Sequence, residues 1–382
     1  MPAPRTVAFY LPQFHPIPEN DEWWGEGFTE WFNVRRARPL FEGHAQPVRP
    51  GELGYYDLLD PDVRAAQAAL AAAHGVDAFC YYHYWFDGKE LLEKPLAEVL
   101  RTGEPEFPFM VCWANENWTR RWDAGENLIL QAQAYSEADD RLHIERLLPV
   151  LADPRYLRLG DRVPLAIYQA HQLPEPRATA ERWREAVREA GLGELLLLSV
   201  HGTPLAHPDP AEWGFDATIR SLPGSQPLPA TRERALARRA RDQLGISYTG
   251  RLSRIWRTLN SAAAGPTRVD YTRYMSEFAA RERPPWVEFP VVLPRWDNTP
   301  RTARRGVVFT GSTPAAYERF LRGELAATAQ RHGADSLVFV NAWNEWAEGA
   351  FLEPDEQWGR GFLEAHARAV SAATEDTTPR RP

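Results

Sequence analysis

The sequence predicts an α/β domain of the (β/α)8 or TIM-barrel class, with long loops at the carboxyl ends of its strands. Eight short, apolar, β-rich runs follow one another along the 382 residues, and most are followed by an amphipathic helical stretch. Eight is the strand number of this barrel. A doubly wound sheet is the alternative, but no GxGxxG turn follows the first run and no GxxxxGKS or GxxxxGKT loop occurs, which excludes the usual nucleotide-binding signatures.

The elements follow from local sequence signals. The predicted strands are residues 6–14, 76–86, 108–114, 163–168, 194–200, 215–219, 289–293 and 337–343. The predicted helices are residues 60–74, 90–101, 136–151, 179–190, 271–281, 313–332 and 361–373. Asp60, Ser136 and Thr313 are N-cap residues, and two of them precede a proline in the first turn. We expect one catalytic domain over residues 1–373 and a disordered polar tail over residues 374–382.

The composition and the charge weigh against several classes of protein. The net charge of -8 weighs against nucleic acid as a partner, and no apolar run approaches the length of a membrane span. No signal peptide is recognisable before the first strand, so we expect a cytoplasmic protein. Cys80 and Cys112 lie in apolar runs, which predicts buried thiols without a disulfide. The sequence carries no signal for an oligomeric state.

The segment 344–349 (NEWAEG) is the most informative motif. It places Glu345 and Glu348 three residues apart, among tryptophans, directly after a buried strand. Glycosidic bond chemistry uses a pair of carboxyl groups as acid and base, and aromatic faces hold sugar rings. By itself this spacing is also common at helix caps and on surfaces. The high count of 15 tryptophans in the chain favours the functional interpretation.

Polar and aromatic residues cluster at the carboxyl ends of seven of the eight predicted strands, where a barrel builds its active site. This pattern predicts a deep polar and aromatic cleft. The candidate sugar-binding residues are Tyr10, Gln13, His15, Tyr82, His83, Trp85, Trp113, Asn115, Glu116, Trp118, Trp296, Asp297, Trp343, Asn344 and Trp346. Individually, His83 is also explained as a packing residue and Asp297 as a helix cap.

Three further expectations concern the chemistry of the cleft. Strand alternation places Asn341, Trp343 and Glu345 on one side, facing the barrel mouth. An acid role for Glu348 requires burial to raise its pKa. The histidines show no metal-ligand spacing, so we expect neither a metal nor a cofactor. The Arg-rich stretch 232–257 is interpreted as a solvated helix or as a lid that contacts an anionic sugar.

Five long motifs, at residues 8–31, 79–96, 112–123, 294–301 and 341–355, occur in an order that resembles the WbsX-type proteins of bacterial polysaccharide loci. That group is often described as glycosyltransferases. The NEWAEG motif is also similar to the motif of glycoside hydrolase family 99, the endo-α-mannosidases and endo-α-mannanases, which are (β/α)8 barrels. The resemblance to WbsX-type proteins covers nearly the whole chain.

The family 99 resemblance implies a retaining mechanism in which Glu345 is the general base and Glu348 the general acid. The base would deprotonate the sugar 2-OH, which attacks C1 and gives a 1,2-anhydro sugar that water then opens. An axial 2-OH, as in mannose or rhamnose, suits this route. Ala347 stands where family 99 commonly carries a bulkier residue.

Three functions remain open from the sequence. The first is a retaining glycoside hydrolase acting on an α-linked mannose- or rhamnose-type oligo- or polysaccharide. The second is a glycosyltransferase of surface-polysaccharide (O-antigen or capsule) assembly. The third is a glycan-binding barrel without catalysis.

Overall fold

Eight parallel strands close into a barrel in the computed structural model, which confirms the predicted fold class. The structure describes residues 3–119, 129–202, 209–228, 265–333 and 335–376. Each barrel strand pairs in parallel with its neighbours, and the first strand pairs with both the second and the last, so the sheet has no open edge in the barrel. The carboxyl ends of all eight strands therefore meet at one mouth.

The barrel strands lie close to their predicted positions. They are β1 (Arg5–Tyr10), β2 (Ala78–Phe86), β3 (Phe109–Trp113), β4 (Arg162–Ile167), β5 (Glu194–His201), β6 (Ala217–Arg220), β7 (Glu288–Val292) and β8 (Leu337–Val340). Short strands outside the barrel are Lys89–Leu91, Trp118–Thr119, Ile129–Gln131, Thr267–Asp270, Val307–Thr310, Asn344–Glu345 and Ala350–Phe351. β1 and β8 are shorter than predicted, because the chain leaves the sheet at the barrel mouth to form the loops of the cleft.

The helices surround this barrel, and three of them begin at the predicted caps Asp60, Ser136 and Thr313. They are α1 (Pro18–Trp24), α2 (Trp31–Arg36), α3 (Pro61–Ala73), α4 (Lys94–Thr102), α5 (Glu137–Leu151), α6 (Pro176–Glu189), α7 (Tyr271–Ala279), α8 (Thr299–Thr302), α9 (Pro314–His332) and α10 (Gly361–Asp376). The side chains of Asp60, Ser136 and Thr313 accept hydrogen bonds from first-turn N–H groups of α3, α5 and α9.

Some boundaries differ from the prediction for local reasons. Helix α4 starts at Lys94 rather than at residue 90, because Lys89–Leu91 pairs with the end of β2 and Pro95 fixes the first helical turn. The segment 15–56, predicted as loop, contains the short helices α1 and α2. Helix α10 continues through Asp376, past the predicted end at residue 373, and residues 377–382 lie outside the described part of the chain.

Several other expectations bear on the surroundings of the barrel. Cys80 and Cys112 are free and fully buried in β2 and β3, as predicted. The Arg-rich stretch 232–257 lies outside the described residues. Across the described residues, none of the helices is both long enough and apolar enough to cross a membrane.

Candidate active site

A cavity of about 900 Å³ opens at the carboxyl end of the barrel. Aromatic rings form much of its wall, and carboxylates, amides and arginines interrupt them, as expected for a site that binds a polar ring compound. Its principal side chains are Gln13, Asn20, Trp23, Trp24, Tyr82, Tyr84, Glu116, Asn117, Trp118, Tyr168, Gln172, Trp296, Arg301, Arg305, Asn341, Glu345 and Glu348.

A tight turn presents both glutamates of the NEWAEG motif to this cavity. Asn344–Glu345 pairs antiparallel with Ala350–Phe351, and a single 3-10 turn, Trp346–Glu348, joins the two strands. Gly349 closes the turn in the left-handed region, with φ +59°. A Cβ at this position would lie 2.7 Å from the backbone nitrogen of Asp297, so only glycine fits without a backbone shift.

This turn changes one expectation. Strand β8 ends at Val340, so the alternation predicted for Asn341, Trp343 and Glu345 does not run through the motif. Asn341 and Glu345 line the cavity, whereas Trp343 is fully buried and does not line it. The prediction that these three residues share one face was therefore wrong for Trp343.

Arg301 joins the two glutamates. Its Nη1 donates to Oε1 of Glu348 at 2.6 Å and its Nη2 to Oε2 of Glu345 at 3.1 Å. A third carboxylate, that of Glu30, lies 2.9 Å from the same Nη2. The side chains of Arg301, Glu345 and Glu30 are 7%, 8% and 5% exposed, so these three residues are almost completely removed from water, whereas the side chain of Glu348 is 21% exposed.

Burial governs the protonation of the cluster. It raises the pKa of Glu345 to about 8, an effect that Arg301 opposes and that the charges of Glu348 and Glu30 reinforce. Burial also raises the pKa of Glu348, again against the pull of Arg301. Burial disfavours the charge of Arg301, but the three carboxylates outweigh that effect and raise its pKa. One guanidinium thus faces three carboxyl groups, which favours retention of a proton on the cluster near neutral pH.

The raised pKa of Glu348 agrees with the expectation for a general acid. The raised pKa of Glu345 was not expected, because the family 99 resemblance implies the role of base for this residue. Both residues contact the same arginine and both pKa values are raised, so the electrostatics of the cavity do not separate an acid from a base.

Five of the fifteen predicted sugar-binding residues line the cavity, namely Gln13, Tyr82, Glu116, Trp118 and Trp296. Gln169 donates from Nε2 to Oε1 of Glu116 at 2.7 Å and so orients this carboxylate. The rings of Trp118 and Trp23 meet edge to face with centroids 5.5 Å apart. These residues form the wall that faces the glutamate pair.

The other ten predicted residues do not line the cavity. They are Tyr10, His15, His83, Trp85, Trp113, Asn115, Asp297, Trp343, Asn344 and Trp346. Strand-end position alone does not separate them from the wall, because the chain turns away from the cavity after several strands. Two of them, Asn344 and Asp297, instead hold the backbone of residues that line the cavity.

Histidine and tryptophan residues form a packed layer beside the cavity. Nε2 of His83 lies 2.9 Å from Nε2 of His143, and burial lowers the pKa of His83 to about 3. The indole of Trp85 donates to Asp139 at 2.9 Å, and that of Trp113 donates to the backbone oxygen of Trp85 at 3.2 Å. His83 therefore has the packing role that the sequence left open as an alternative.

Two asparagines fix loops by pairing with backbone groups. Asn344 accepts from the N–H of Leu11 at 2.7 Å and donates to its carbonyl at 3.0 Å. Asn115 makes the same pair of bonds with the backbone of Gln169, at 2.7 and 3.0 Å. The buried imidazole of His15 lies 3.1 Å from the carbonyl of Pro16 and likewise serves its own loop.

Asp297 holds the turn Trp346–Glu348 in place from outside the cavity wall. Its backbone N–H donates to the carbonyl of Glu348 at 2.8 Å, and its carboxylate caps α8 through the N–H of Thr299 at 3.0 Å. The same carboxylate accepts from His44 at 2.7 Å and from Gln46 at 2.6 Å. Asp297 therefore has the capping role considered from the sequence, and it also anchors the backbone at Glu348.

Glu353 anchors the turn from beneath. It is 1% exposed and accepts from the indole of Trp346 at 2.5 Å, from Gln67 at 2.6 Å and from the hydroxyl of Tyr56 at 2.8 Å. Gln67 in turn accepts from the hydroxyl of Tyr10 at 2.6 Å. Trp346 and Tyr10, both predicted to touch sugar, thus belong to a buried network below the glutamate pair.

Several residues of the site were not among the sequence candidates. Arg301 and Glu30 are the most important, since they complete the charged cluster. Both occur within the five long motifs, but in the sequence they carry no spacing that links them to Glu345. Tyr84, Tyr168, Trp23 and Trp24 also line the cavity. No set of His, Cys, Asp and Glu side chains among the described residues could hold a metal ion.

Comparison with known proteins gives a consistent family and fold. The family described as "Glycosyltransferase WbsX" matches residues 6–366. A protein named WxcX from Xanthomonas campestris pv. campestris is 42% identical over 383 residues, and its counterpart from strain B100 is 43% identical over 384 residues. Each match covers 99% of this chain and 51% of the relative, so the chain spans about half the length of the curated relatives it matches.

Solved structures share the fold at low identity. A GH99 endo-alpha-mannosidase from Bacteroides thetaiotaomicron superposes with a TM-score of 0.54 at 14% identity, covering 98% of this chain and 99% of that protein. A structure described as a glycoside hydrolase-like protein gives a TM-score of 0.55 at 14% identity, covering 97% and 94% of the two chains.

Proposed function

The chain belongs to the family described as glycosyltransferase WbsX, and we propose that it acts at the anomeric carbon of a sugar through the carboxyl groups of Glu345 and Glu348. The observation that carries this proposal is the buried pair of glutamates, bridged by Arg301, at the base of an aromatic cavity. Aromatic walls suit sugar rings, and a carboxyl pair with raised pKa values suits proton transfer to and from glycosidic oxygens.

The finer proposal is a retaining glycoside hydrolase for an α-linked mannose- or rhamnose-type glycan. It is supported by the NEWAEG motif and by the barrel shared with a GH99 endo-alpha-mannosidase. Glu345 takes the proton of the sugar 2-OH while O2 bonds to C1. Glu348 gives its proton to the departing glycosidic oxygen as the C1–O bond breaks, which leaves a 1,2-anhydro sugar.

Water completes the reaction. Its oxygen bonds to C1 as Glu348 takes the water proton, the C1–O2 bond breaks, and O2 recovers its proton from Glu345. Both glutamates return to their starting protonation, and two inversions at C1 retain its configuration. Glu345 must be ionised to begin, so burial, which raises its pKa to about 8, should move the activity profile to higher pH than for an exposed glutamate.

The experiment is a product-resolved screen of α-mannan, rhamnan and capsule-type glycans with the wild type, Glu345→Gln and Glu348→Gln. We expect each variant to lower the rate by at least about a hundredfold, the usual scale of a lost acid or base. Glu364→Gln, at an exposed position of α10, is the matched control. Wild-type hydrolysis by both active-site variants would exclude the carboxyl pair as the reacting groups.

A second candidate is glycosyl transfer in surface-polysaccharide assembly, which the family description favours. The same cavity would then hold a sugar nucleotide, and transfer to an acceptor would replace hydrolysis. Strong thermal stabilisation by nucleoside-diphosphate sugars, together with product formation only when an acceptor glycan is present, would establish this function. Tight glycan binding without turnover, unchanged in both glutamine variants, would instead indicate a binding barrel.

A further inference from the structure

Glu30 holds a special position in the charged cluster. It lies directly before α2, is 4% exposed, and its backbone N–H donates to the carbonyl of Gln13 at 3.1 Å. Its carboxylate meets Arg301 through Nη2 at 2.9 Å and through Nε at 3.3 Å. Glu30 is absent from the cavity wall, so it reaches the two active-site glutamates through Arg301.

Each nitrogen of the Arg301 guanidinium has a carboxylate partner. One terminal nitrogen of Arg301 serves Glu348, the other is shared by Glu345 and Glu30, and Nε faces Glu30. Glu30 therefore fixes the rotation of the guanidinium plane about the arginine side chain. Its negative charge also offsets the positive charge that would otherwise keep both active-site glutamates ionised.

We propose that Glu30 is a positioning residue, which orients Arg301 between Glu345 and Glu348 and, by its charge, keeps one proton on that pair. This inference rests on the proposed function, which requires one protonated and one ionised carboxyl group at the same time. Without Glu30, one arginine would face two carboxylates, and the pair would lose its proton at lower pH.

The other titratable groups around Glu345 and Glu348 do not offset the charge of Arg301 in the way that Glu30 does. Tyr82, Tyr84 and Tyr168 face Glu345, and burial raises the pKa of each, so the three hydroxyls are neutral across the working range. Glu116 is a further carboxylate that acts on Glu348 from the opposite wall, and it is exposed at the cavity. Glu30 is the buried carboxylate that contacts Arg301 from outside the cavity.

The test is the variant Glu30→Gln, which keeps the side-chain shape and an oxygen for Arg301 but removes the charge. We expect the titration of the glutamate pair to move to lower pH by about one unit, the usual effect of one nearby charge on a carboxyl group. The activity profile on a glycan substrate should move in the same direction. Glu30→Asp, which keeps the charge but withdraws it by one methylene, should give a smaller shift of the same sign.

The titration is followed by NMR of protein labelled at the glutamate side-chain carboxyl carbons, which needs no substrate. Glu324→Gln is the matched control, because Glu324 is equally buried against Arg281 and Arg283 but lies on α9, outside the cavity wall. This variant should leave the titration of Glu345 and Glu348 unchanged, whatever it does to stability.

The outcomes separate the two proposals. A shift in Glu30→Gln, or in Glu30→Asp should the glutamine variant fail to fold, supports the positioning role even if no glycan is turned over. Glycan turnover that depends on Glu345 and Glu348, with a titration unmoved in both Glu30 variants, would overturn the positioning role and leave the proposed function intact. Equal shifts in Glu324→Gln would also overturn it.

Discussion

Replacing Glu353 by glutamine should make the folded protein less sensitive to alkaline pH. Glu353 is buried below the turn of residues 346–348, and burial raises its pKa to about 7, although hydrogen-bond donors led by the indole of Trp346 oppose the shift. A carboxyl group with a raised pKa binds its proton more tightly in the folded state. Its contribution to stability is therefore present at low pH and is lost as the pH rises through 7.

The magnitude follows from the two pKa values. An unfolded chain releases this proton near 4.5, and the folded chain holds it to about 7. One pKa unit corresponds to about 1.4 kcal/mol, so the full effect on the free energy of unfolding is roughly 3 kcal/mol, of which about 2.5 kcal/mol falls between pH 5 and pH 8. The wild type loses this stability over that interval, whereas Glu353→Gln does not.

The glutamine is a close replacement in shape. Its carbonyl can accept from Trp346 and Tyr56, and its new NH2 group finds an acceptor if the amide of Gln67 turns over. Tyr10 then accepts from Gln67 in place of donating to it. Any cost of this rearrangement is the same at every pH and cancels when two pH values are compared.

The assay is urea-induced unfolding of the wild type and Glu353→Gln at pH 5 and pH 8, followed by tryptophan fluorescence. We expect the variant to gain about 2.5 kcal/mol on the wild type between the two pH values. An exposed control, Glu364→Gln, should gain nothing. The reasoning is refuted if the stability difference between Glu353→Gln and the wild type is equal at pH 5 and pH 8.

Two further predictions concern the same turn. Gly349→Ala forces a Cβ onto the backbone of Asp297 at a positive φ and should cost about 2 kcal/mol or more of stability, with a parallel fall in activity; unchanged urea midpoints would show that the turn relaxes freely. Trp346→Phe keeps the stacked contact with Phe351, at 3.7 Å between ring centroids, but removes the indole donor to Glu353. It should cost about 1–3 kcal/mol at pH 8, where Glu353 is ionised, and less at pH 5; an equal cost at both pH values would separate Trp346 from the charge of Glu353.

The fold could be predicted from the sequence because the signals for its strands and helices are local. Caps such as Asp60 and Ser136, together with eight apolar runs, are each decided within a few residues, and the closure of the barrel follows from their number. The sequence also located Glu345 and Glu348, since both belong to one short motif. Errors arose where pairing outside the local segment decides the structure, as in the strand Lys89–Leu91 at the end of β2.

The partners of the glutamates were beyond the reach of the sequence for a different reason. Arg301 lies 44 residues before Glu345, and Glu30 lies 271 residues before Arg301, so no spacing rule connects them. Likewise, an aromatic residue at a strand end is equally compatible with a position in the cavity wall and with a position in the packed core. Trp113 is the last residue of β3 and is fully buried in the core, whereas Trp118 lies in the short strand Trp118–Thr119 after β3 and lines the cavity.

The clamp of Asn344 on the backbone of Leu11 joins positions that are 333 residues apart in the chain. A ribosome makes Leu11 long before it makes Asn344. Until the segment that contains Asn344 has emerged, β1 lacks its second neighbour and Arg301 has neither of its active-site glutamates. The charged cluster of Arg301 and the two glutamates therefore forms only after residues 337–348 have been made, in the same step that closes the barrel.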